Sequence, residues 1–157
     1  MSIKKLSFVD NKSINAIALG GAVLGSGGGG DPYVGRLMTQ QSMKESGGVE
    51  VIDIESLPDE ALILPIAMMG APTVMVEKFP SGNEFAQLIP MIEKMLTKPV
   101  AAILCIEAGG LNSTIPFVAA SKLGLPIIDG DAMGRAFPEL QMVTFTLGGI
   151  SATPMAM

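Results

Sequence analysis

Short apolar segments of strand length alternate along this chain with segments that have the apolar period of a helix. The clearest strand is residues 100–106, VAAILCI, which form a continuous apolar run, whereas residues 83–97, NEFAQLIPMIEKMLT, have helical spacing. Strands that alternate with helices of about 10–15 residues form a parallel sheet covered by helices. We therefore predict an α/β fold with a mainly parallel sheet and helices on both faces, in three layers.

Caps and turn residues set the bounds of the other elements. Asp31 followed by Pro32 is a helix start and the glycines at 47 and 48 are a stop, which predicts a helix over 32–45. The apolar run 61–68 is typical of a central strand, but Pro65 cannot donate to a ladder, so we expect an edge, a bulge or a strand end there. The helix over 83–97 should kink or restart at Pro90. The remaining predictions are helices at 13–24 and 113–123, the second of them ended by Gly124, strands at 49–54, 126–129 and 142–147, a loop or short strand at 72–77, and a turn or short helix at 131–140.

The composition excludes several kinds of site. The chain has no histidine and one cysteine, Cys105, which removes histidine-dependent catalysis, histidine metal sites, cysteine-rich zinc sites and an internal disulfide. A net charge of −5 with no cluster of basic residues argues against a nucleic-acid partner. No apolar run of about 18 residues and no signal-peptide pattern occur, so we expect no membrane span and a cytoplasmic location.

The charged fraction bears on assembly. Charged residues make up 16% of the chain, against about 25% in a typical domain. Either much of the chain is buried or part of its surface meets another surface, and we expect a homo-oligomer. Cys105 lies inside an apolar strand and is predicted to be a buried core thiol.

Polar side chains follow two of the predicted strands. One strand runs into Glu107-Ala-Gly-Gly-Leu-Asn112 and another into Asp129-Gly-Asp131-Ala-Met-Gly-Arg135. Open α/β sheets bind ligands beyond the carboxyl ends of their strands, so these side chains share a crevice if the two strands are neighbours. Acids with an amide suit a divalent cation or a general base acting on water, and an arginine fork suits an oxygen-bearing ligand. Alternatively, the two aspartates are turn or capping residues and the arginine is their ion-pair partner.

The glycine-rich run at residues 25–30, GSGGGG, does not have the pattern of a phosphate loop. It lacks the lysine and hydroxyl residue of a P-loop and follows a helix, whereas a dinucleotide fingerprint follows a strand. Asp31 also occupies the helix N-terminus that an anion would need. Close approach of the loop backbone to a ligand or another subunit is favoured over nucleotide binding, and a solvated turn is the alternative.

Three segments carry a family resemblance: LGSGGGGDPYVG at 24–35, EAGGLNS at 107–113 and LPIIDGDAMGRAFPELQM at 125–142. They resemble the S-methyl-thiohydantoin desulfurase family, and the resemblance covers essentially the whole chain. It implies that residues 1–157 are one α/β domain, the N-terminal half of a longer two-domain protein whose C-terminal domain is β-rich. It also implies hydrolytic attack on a carbon of a hydantoin-like or thiohydantoin-like ring, with loss of a thiol or sulfide or with ring opening.

The resemblance and the strand-end residues together suggest roles. Glu107 and Asp129 are predicted to be catalytic, either activating water or accepting from a ring N–H. Asp131 is predicted to be a metal ligand, with a divalent metal ion as the cofactor. The predicted substrate-binding residues are Gly28, Gly29, Gly30, Asp31, Asn112 and Arg135. The expected partners are a small cyclic ureide, the C-terminal domain and further copies of the chain, and the alternative function is a non-catalytic binding or assembly subunit of a hydantoinase-type complex.

Overall fold

Strands and helices alternate through the computed structural model, which describes residues 5–78 and 80–157. The strands are β1 Phe8–Val9, β2 Val49–Ile52, β3 Leu62–Ile66, β4 Val100–Cys105 and β5 Ile127–Asp131. The helices are α1 Ile14–Gly25, α2 Pro32–Ser46, α3 Pro72–Glu77, α4 Glu84–Leu96, α5 Ile115–Leu123 and α6 Thr144–Leu147. Two short 3-10 helices span Ile54–Ser56 and Gly110–Ser113.

The five strands form one sheet in the order β1-β2-β5-β4-β3. β2, β5, β4 and β3 are parallel, and the two-residue β1 pairs antiparallel with β2 at one edge. The predicted α/β fold with a mainly parallel sheet is confirmed. Since β4 and β5 are parallel neighbours, their carboxyl ends lie side by side at the same edge of the sheet.

The main core lies between the sheet and the four longer helices α1, α2, α4 and α5. Ile103 of β4 and Ile127 of β5 are buried there against Ile14 of α1 and Ile115 of α5. Because side chains alternate along a strand, the neighbouring positions of β4 point to the opposite face. That face carries a smaller cluster formed by Ala102, Leu104 and Ile128, with Leu57 and Phe145 of α6 packed on it.

Three helix ends follow the predicted local chemistry. The Tyr33 N–H donates to Asp31 Oδ1 over 2.9 Å at the start of α2. Gly47, at φ +81°, ends that helix with its N–H donating to Met43 O over 2.8 Å. Gly124 ends α5 in the same left-handed conformation, which a residue with a Cβ adopts only with strain. The capping predictions for α2 and α5 are therefore confirmed.

Several sequence-based predictions are wrong in detail. Among the residues that the structure describes, β3 pairs with β4 on one side and is an edge strand rather than a central strand, as Pro65 indicated and the apolar run did not. Residues 72–77 form helix α3, with Pro72 in its first turn, and the strand predicted at 142–147 is replaced by α6. A helix of four residues is too short to show a helical period in the sequence. The alternation of apolar and polar residues at 142–147 therefore resembled a strand. α4 runs through Pro90 as one helix, so a restart there is wrong, whereas a kink at Pro90 stays a prediction.

Crossing a bilayer requires a long apolar helix, and none of the helices within 5–78 and 80–157 meets that requirement.

Candidate functional site

Three glycine-bearing loops meet in backbone contact at the carboxyl edge of the sheet. Gly29, in the loop between α1 and α2, accepts a hydrogen bond at its carbonyl oxygen from the Leu111 N–H over 2.8 Å. A Cβ added to Gly29 would lie 2.6 Å from Gly109 O, and a Cβ added to Gly109 would lie 3.0 Å from Ala136 N. The first distance is shorter than real Cβ atoms show, and the second is tighter than nine in ten real Cβ contacts. Glycines at these positions therefore allow the α1–α2 loop and the loops after β4 and β5 to approach one another closely.

Helices α1 and α2 hold this edge in place through further glycines. A Cβ on Gly21 of α1 would lie 2.1 Å from Ser113 Oγ, and a Cβ on Gly35 of α2 would lie 2.1 Å from Thr114 Oγ1. Both helices thus pack directly on the 3-10 helix Gly110–Ser113 and the residue after it. The loop that follows β4 is consequently held between two helices and the sheet.

Glu107 is a buried carboxyl group at the centre of this edge. It lies two residues beyond the end of β4, and 5% of its surface is exposed. Asn112 Nδ2 donates to Glu107 Oε1 over 2.6 Å. Among the described residues the ion pair is Lys5–Asp53, so no lysine or arginine there neutralises Glu107. A buried carboxyl group with a neutral donor and no cation is a typical environment for proton transfer.

Asn112 connects Glu107 to the end of β3. The Met68 N–H donates to Asn112 Oδ1 over 2.8 Å, and Asn112 Nδ2 also donates to Met68 O over 3.2 Å. The side-chain amide is 6% exposed, and both its oxygen and its nitrogen bond to protein groups. The sequence predicted that Asn112 binds substrate, whereas in the structure its amide contacts Glu107 and the Met68 backbone.

Asp129 and Asp131 lie in surroundings unlike that of Glu107. The β4–β5 pairing steps from Ile103–Ile127 to Cys105–Asp131, so β5 carries extra residues there and Asp129 lies in a bulge, exposed. A hydrogen bond with Asp53 raises the pKa of Lys5, and the charge of Asp129 adds to that effect. The Asp129 carboxylate therefore lies close enough to Lys5 for its charge to act on that side chain.

The carboxylate of Asp131 organises its own loop. Asp131 Oδ1 accepts from the Met133 N–H over 2.8 Å and from the Gly134 N–H. This is the turn role that the sequence left open as an alternative. Arg135 is exposed, with its guanidinium carbon 5.6 Å from the centroid of the Phe137 ring, and it forms no ion pair with either aspartate. The predicted alternative of an arginine ion-paired to these acids is wrong.

The acids that the sequence singled out do not form a metal site by themselves. Over the described ranges, no group of three or more His, Cys, Asp or Glu residues is placed so that it could hold a metal ion. Glu107 is buried, Asp129 is exposed, and one oxygen of Asp131 binds two backbone amides. A divalent ion at Asp131 does not fit these surroundings unless ligands come from outside this chain.

The remaining predicted site residues have structural contacts. Gly28 and Gly30 pack on the neighbouring loops, since a Cβ on each would lie 3.4 Å from Ala136 Cβ and 3.2 Å from Leu111 Cβ, respectively. Asp31 caps α2. Substrate binding by these residues and by Gly29 and Arg135 stays a prediction.

Cys105 is a core residue, as predicted. It is 9% exposed, and burial, with a smaller contribution from the charge of Asp131, raises the pKa of its thiol to about 12. It therefore stays a protonated, unreactive thiol near neutral pH.

Sequence reasoning missed two contributors to the site. One is the Met68 backbone, which contacts Asn112 across 44 residues of sequence and left no local signal. The other is the tight packing of Gly35 on Thr114. The sequence did indicate a close approach at the Gly20–Gly21 pair, because glycines within a helical pattern cost stability unless another chain segment packs close to them.

These features define the class of protein: an α/β domain whose glycine-packed loops surround a buried carboxyl group at the carboxyl edge of a parallel sheet. A family model described as S-Me-THD-like, N-terminal domain, matches residues 12–157, and the chain belongs to this family.

Structural comparison agrees with the fold. The chain is similar to a protein from Chromobacterium violaceum whose crystal structure is known, with a TM-score of 0.77 and 25% sequence identity. The similarity covers 92% of this chain and 40% of that protein, so this chain spans less than half the length of its structural neighbour. No curated protein of known function matches the sequence.

Proposed function

We propose that this chain supplies the α/β half of the active site of a hydrolase or desulfurase that acts on hydantoin-like or thiohydantoin-like rings. The observation that carries the proposal is the buried, cation-free carboxyl group of Glu107 at the carboxyl edge of the sheet. Ligands of open α/β sheets bind at that edge. The chain belongs to a family described as S-Me-THD-like, and the ring class in this proposal is taken from that description.

The reaction on an S-methyl-thiohydantoin needs one proton-transfer group at minimum. Glu107 removes a proton from water as the water oxygen forms a bond to the ring carbon that carries sulfur. The carbon–sulfur bond then breaks, and the proton on Glu107 passes to the leaving sulfur, which departs as methanethiol. The second proton of the water passes to the ring nitrogen, so the N=C–S unit becomes an N–H and a C=O, which together form an amide. Backbone N–H groups of the glycine loops are suited to hold the charge that develops on oxygen.

The substrate site in this proposal is completed by residues outside this chain. The segments around Glu107 carry exposed apolar side chains, which include Leu24 at the end of α1 and the loop residues Met69 and Phe137. Exposed apolar residues around a polar centre are typical of a surface that another domain covers. The longer structural neighbour has the chain length for such a domain.

Product analysis of the complete protein tests the proposal. S-methyl-thiohydantoin would be incubated with the protein in ¹⁸O-water, and both the released thiol and the ring product would be measured. The expected result is one methanethiol for each hydantoin, with one ¹⁸O in the hydantoin carbonyl. Unchanged substrate, or thiol release without ¹⁸O in the ring, would remove the hydrolytic mechanism.

A second candidate function is that of an assembly domain, and α1 favours it. Leu19 and Val23 are 69% and 70% exposed on one face of this helix, which carries no charged residue. A helix that is apolar on its outer as well as its inner face normally has a partner. This supports the expected homo-oligomer, in which copies of the chain contact each other through α1.

Sedimentation of the chain separates this candidate from the first. If the chain is an assembly domain, it should sediment as a dimer or a larger species. The substitutions Leu19→Glu and Val23→Glu should then convert it to a monomer. Gln41→Glu, an exposed change on α2, is the control and should leave the assembly intact. A monomeric wild-type chain would remove self-assembly through α1.

A further inference from the structure

We propose that Asn112 is a positioning residue that fixes which oxygen of Glu107 reacts, and that it couples this carboxyl group to the end of β3. The inference rests on the proposed function, in which Glu107 transfers the proton. It assigns to Asn112 a role exerted through Glu107 rather than a direct contact with the ring.

The hydrogen-bond pattern around Asn112 carries the first step. Its Nδ2 has two hydrogens, one donated to Glu107 Oε1 over 2.6 Å and the other to Met68 O over 3.2 Å. Its Oδ1 accepts from the Met68 N–H over 2.8 Å. The orientation of the amide is therefore fixed, since a flipped amide would place an oxygen against Glu107 and two N–H groups against the Met68 N–H.

The consequence for Glu107 is an asymmetric carboxyl group. Oε1 holds a short hydrogen bond from the Asn112 amide, which keeps that oxygen an acceptor. Oε2 is left to exchange a proton with water or with the leaving sulfur. No buried side-chain nitrogen or oxygen lacks a hydrogen-bond partner in the ranges 5–78 and 80–157, so Oε2 is not sealed off inside the core.

The consequence for the fold is that a side chain extends the ladder between β3 and β4. The last backbone pair of these strands joins Ile66 to Cys105. Beyond it, the amide of Asn112 bonds to both the N–H and the C=O of Met68, as a neighbouring strand would. The end of β3 and Glu107 are therefore tied to the same side chain.

Two substitutions separate the effects. Asn112→Leu removes both the donor to Glu107 and the acceptor for Met68. Asn112→Asp keeps an oxygen for the Met68 N–H but places a second carboxyl group beside Glu107, and two adjacent carboxylates share a proton. Ser113→Ala is the matched control, because Ser113 is equally buried on the same 3-10 helix and bonds to Gly110 O, not to Glu107.

The test combines a pH–rate profile of the complete protein with hydrogen exchange of the Met68 amide. In both Asn112 variants the acid limb of kcat should move to higher pH by about one unit or more, because a donor to a charged group is lost. The Met68 amide should lose protection in Asn112→Leu and keep it in Asn112→Asp. Ser113→Ala should leave the acid limb in place.

The outcomes distinguish this inference from the proposed function. An acid limb that is unchanged in both Asn112 variants, in a protein that Glu107→Gln inactivates, overturns the positioning role alone. Full activity in Glu107→Gln overturns the proposed function and, with it, this inference. An equal shift of the acid limb in Ser113→Ala would make the effect a general loss of local structure and would also overturn the inference.

Discussion

Cys105 and Glu107 lie two residues apart at the end of β4, and both are buried, but their surroundings give them different chemistry. Cys105 is 9% exposed, and burial raises the pKa of its thiol to about 12. Glu107 is 5% exposed but has the Asn112 amide as a hydrogen-bond donor. The thiol is therefore inert, whereas the carboxyl group has a hydrogen-bond donor at Oε1.

This difference makes a prediction for thiol labelling. At pH 8 a thiol with a pKa of about 12 is ionised in roughly one molecule in ten thousand, whereas in the unfolded chain about a quarter is ionised. A disulfide reagent should therefore modify Cys105 at least about a thousandfold more slowly in the folded protein than in guanidinium. Cys105→Ala supplies the blank, and labelling of the folded chain at the unfolded rate would contradict the burial of this thiol.

At the level of elements, α1 shows how two adjacent glycines can have opposite effects. Gly21 faces Ser113 and Gly110, where an added Cβ would lie 2.1 Å from Ser113 Oγ. Gly20 is exposed, and an added Cβ would meet nothing within 4 Å. Only Gly21 is therefore required by the packing of α1 on the loop after β4.

Alanine substitutions at these two positions should change stability in opposite directions. Gly20→Ala should raise the free energy of unfolding by about 0.5–1 kcal/mol, because alanine loses less backbone entropy in a helix. Gly21→Ala should lower it by about 1–3 kcal/mol, because the new methyl group forces α1 away from Ser113. Urea denaturation measures both, and a Gly21→Ala chain as stable as Gly20→Ala would show that α1 does not pack as described.

The elements differ in how far their sequence determines them. The start of α2 and the end of α5 were predictable because Asp31 and Gly124 act through contacts within one or two turns. The edge position of β3 required knowledge of the whole sheet, and Pro65 was its one local sign. Helix α6 was missed because four residues are too few to show a helical period.

The site was predictable in position but not in detail. Parallel strands place Glu107 and Asp129 at one edge, which the strand pattern indicated. The bulge in β5 that exposes Asp129, and the bonds from Asn112 to Met68, depend on strand register and tertiary contacts. No spacing in the sequence encodes those contacts, so the separate surroundings of the two acids came from the structure.

The whole molecule has a folded core and, at the carboxyl edge of the sheet, a surface that a second domain covers in the proposed function. The structural neighbour is more than twice as long as the segment that it shares with this chain. A site between two domains would bind its ligand only when both are present.

This arrangement makes a prediction for ligand-induced stabilisation. A hydantoin or thiohydantoin at a hundred times its Kd should stabilise the complete protein by about 2.7 kcal/mol, because it binds the folded state alone. The separate chain 1–157 should show a much smaller rise in Tm, with divalent cations screened alongside the rings in both proteins. An equal rise in Tm for both proteins would place the whole ligand site within this chain.

The most direct test of the account compares Glu107→Gln with Asp129→Asn in steady-state turnover of S-methyl-thiohydantoin by the complete protein. Glutamine keeps the size of Glu107 and its bond from Asn112 but cannot take a proton. The account predicts that Glu107→Gln lowers kcat by about 10²–10⁴-fold, as loss of a general base does. Asp129→Asn, at an exposed position in the bulge, should change kcat much less. Wild-type kcat in Glu107→Gln, with a large loss in Asp129→Asn, would contradict the account and assign the proton transfer to Asp129.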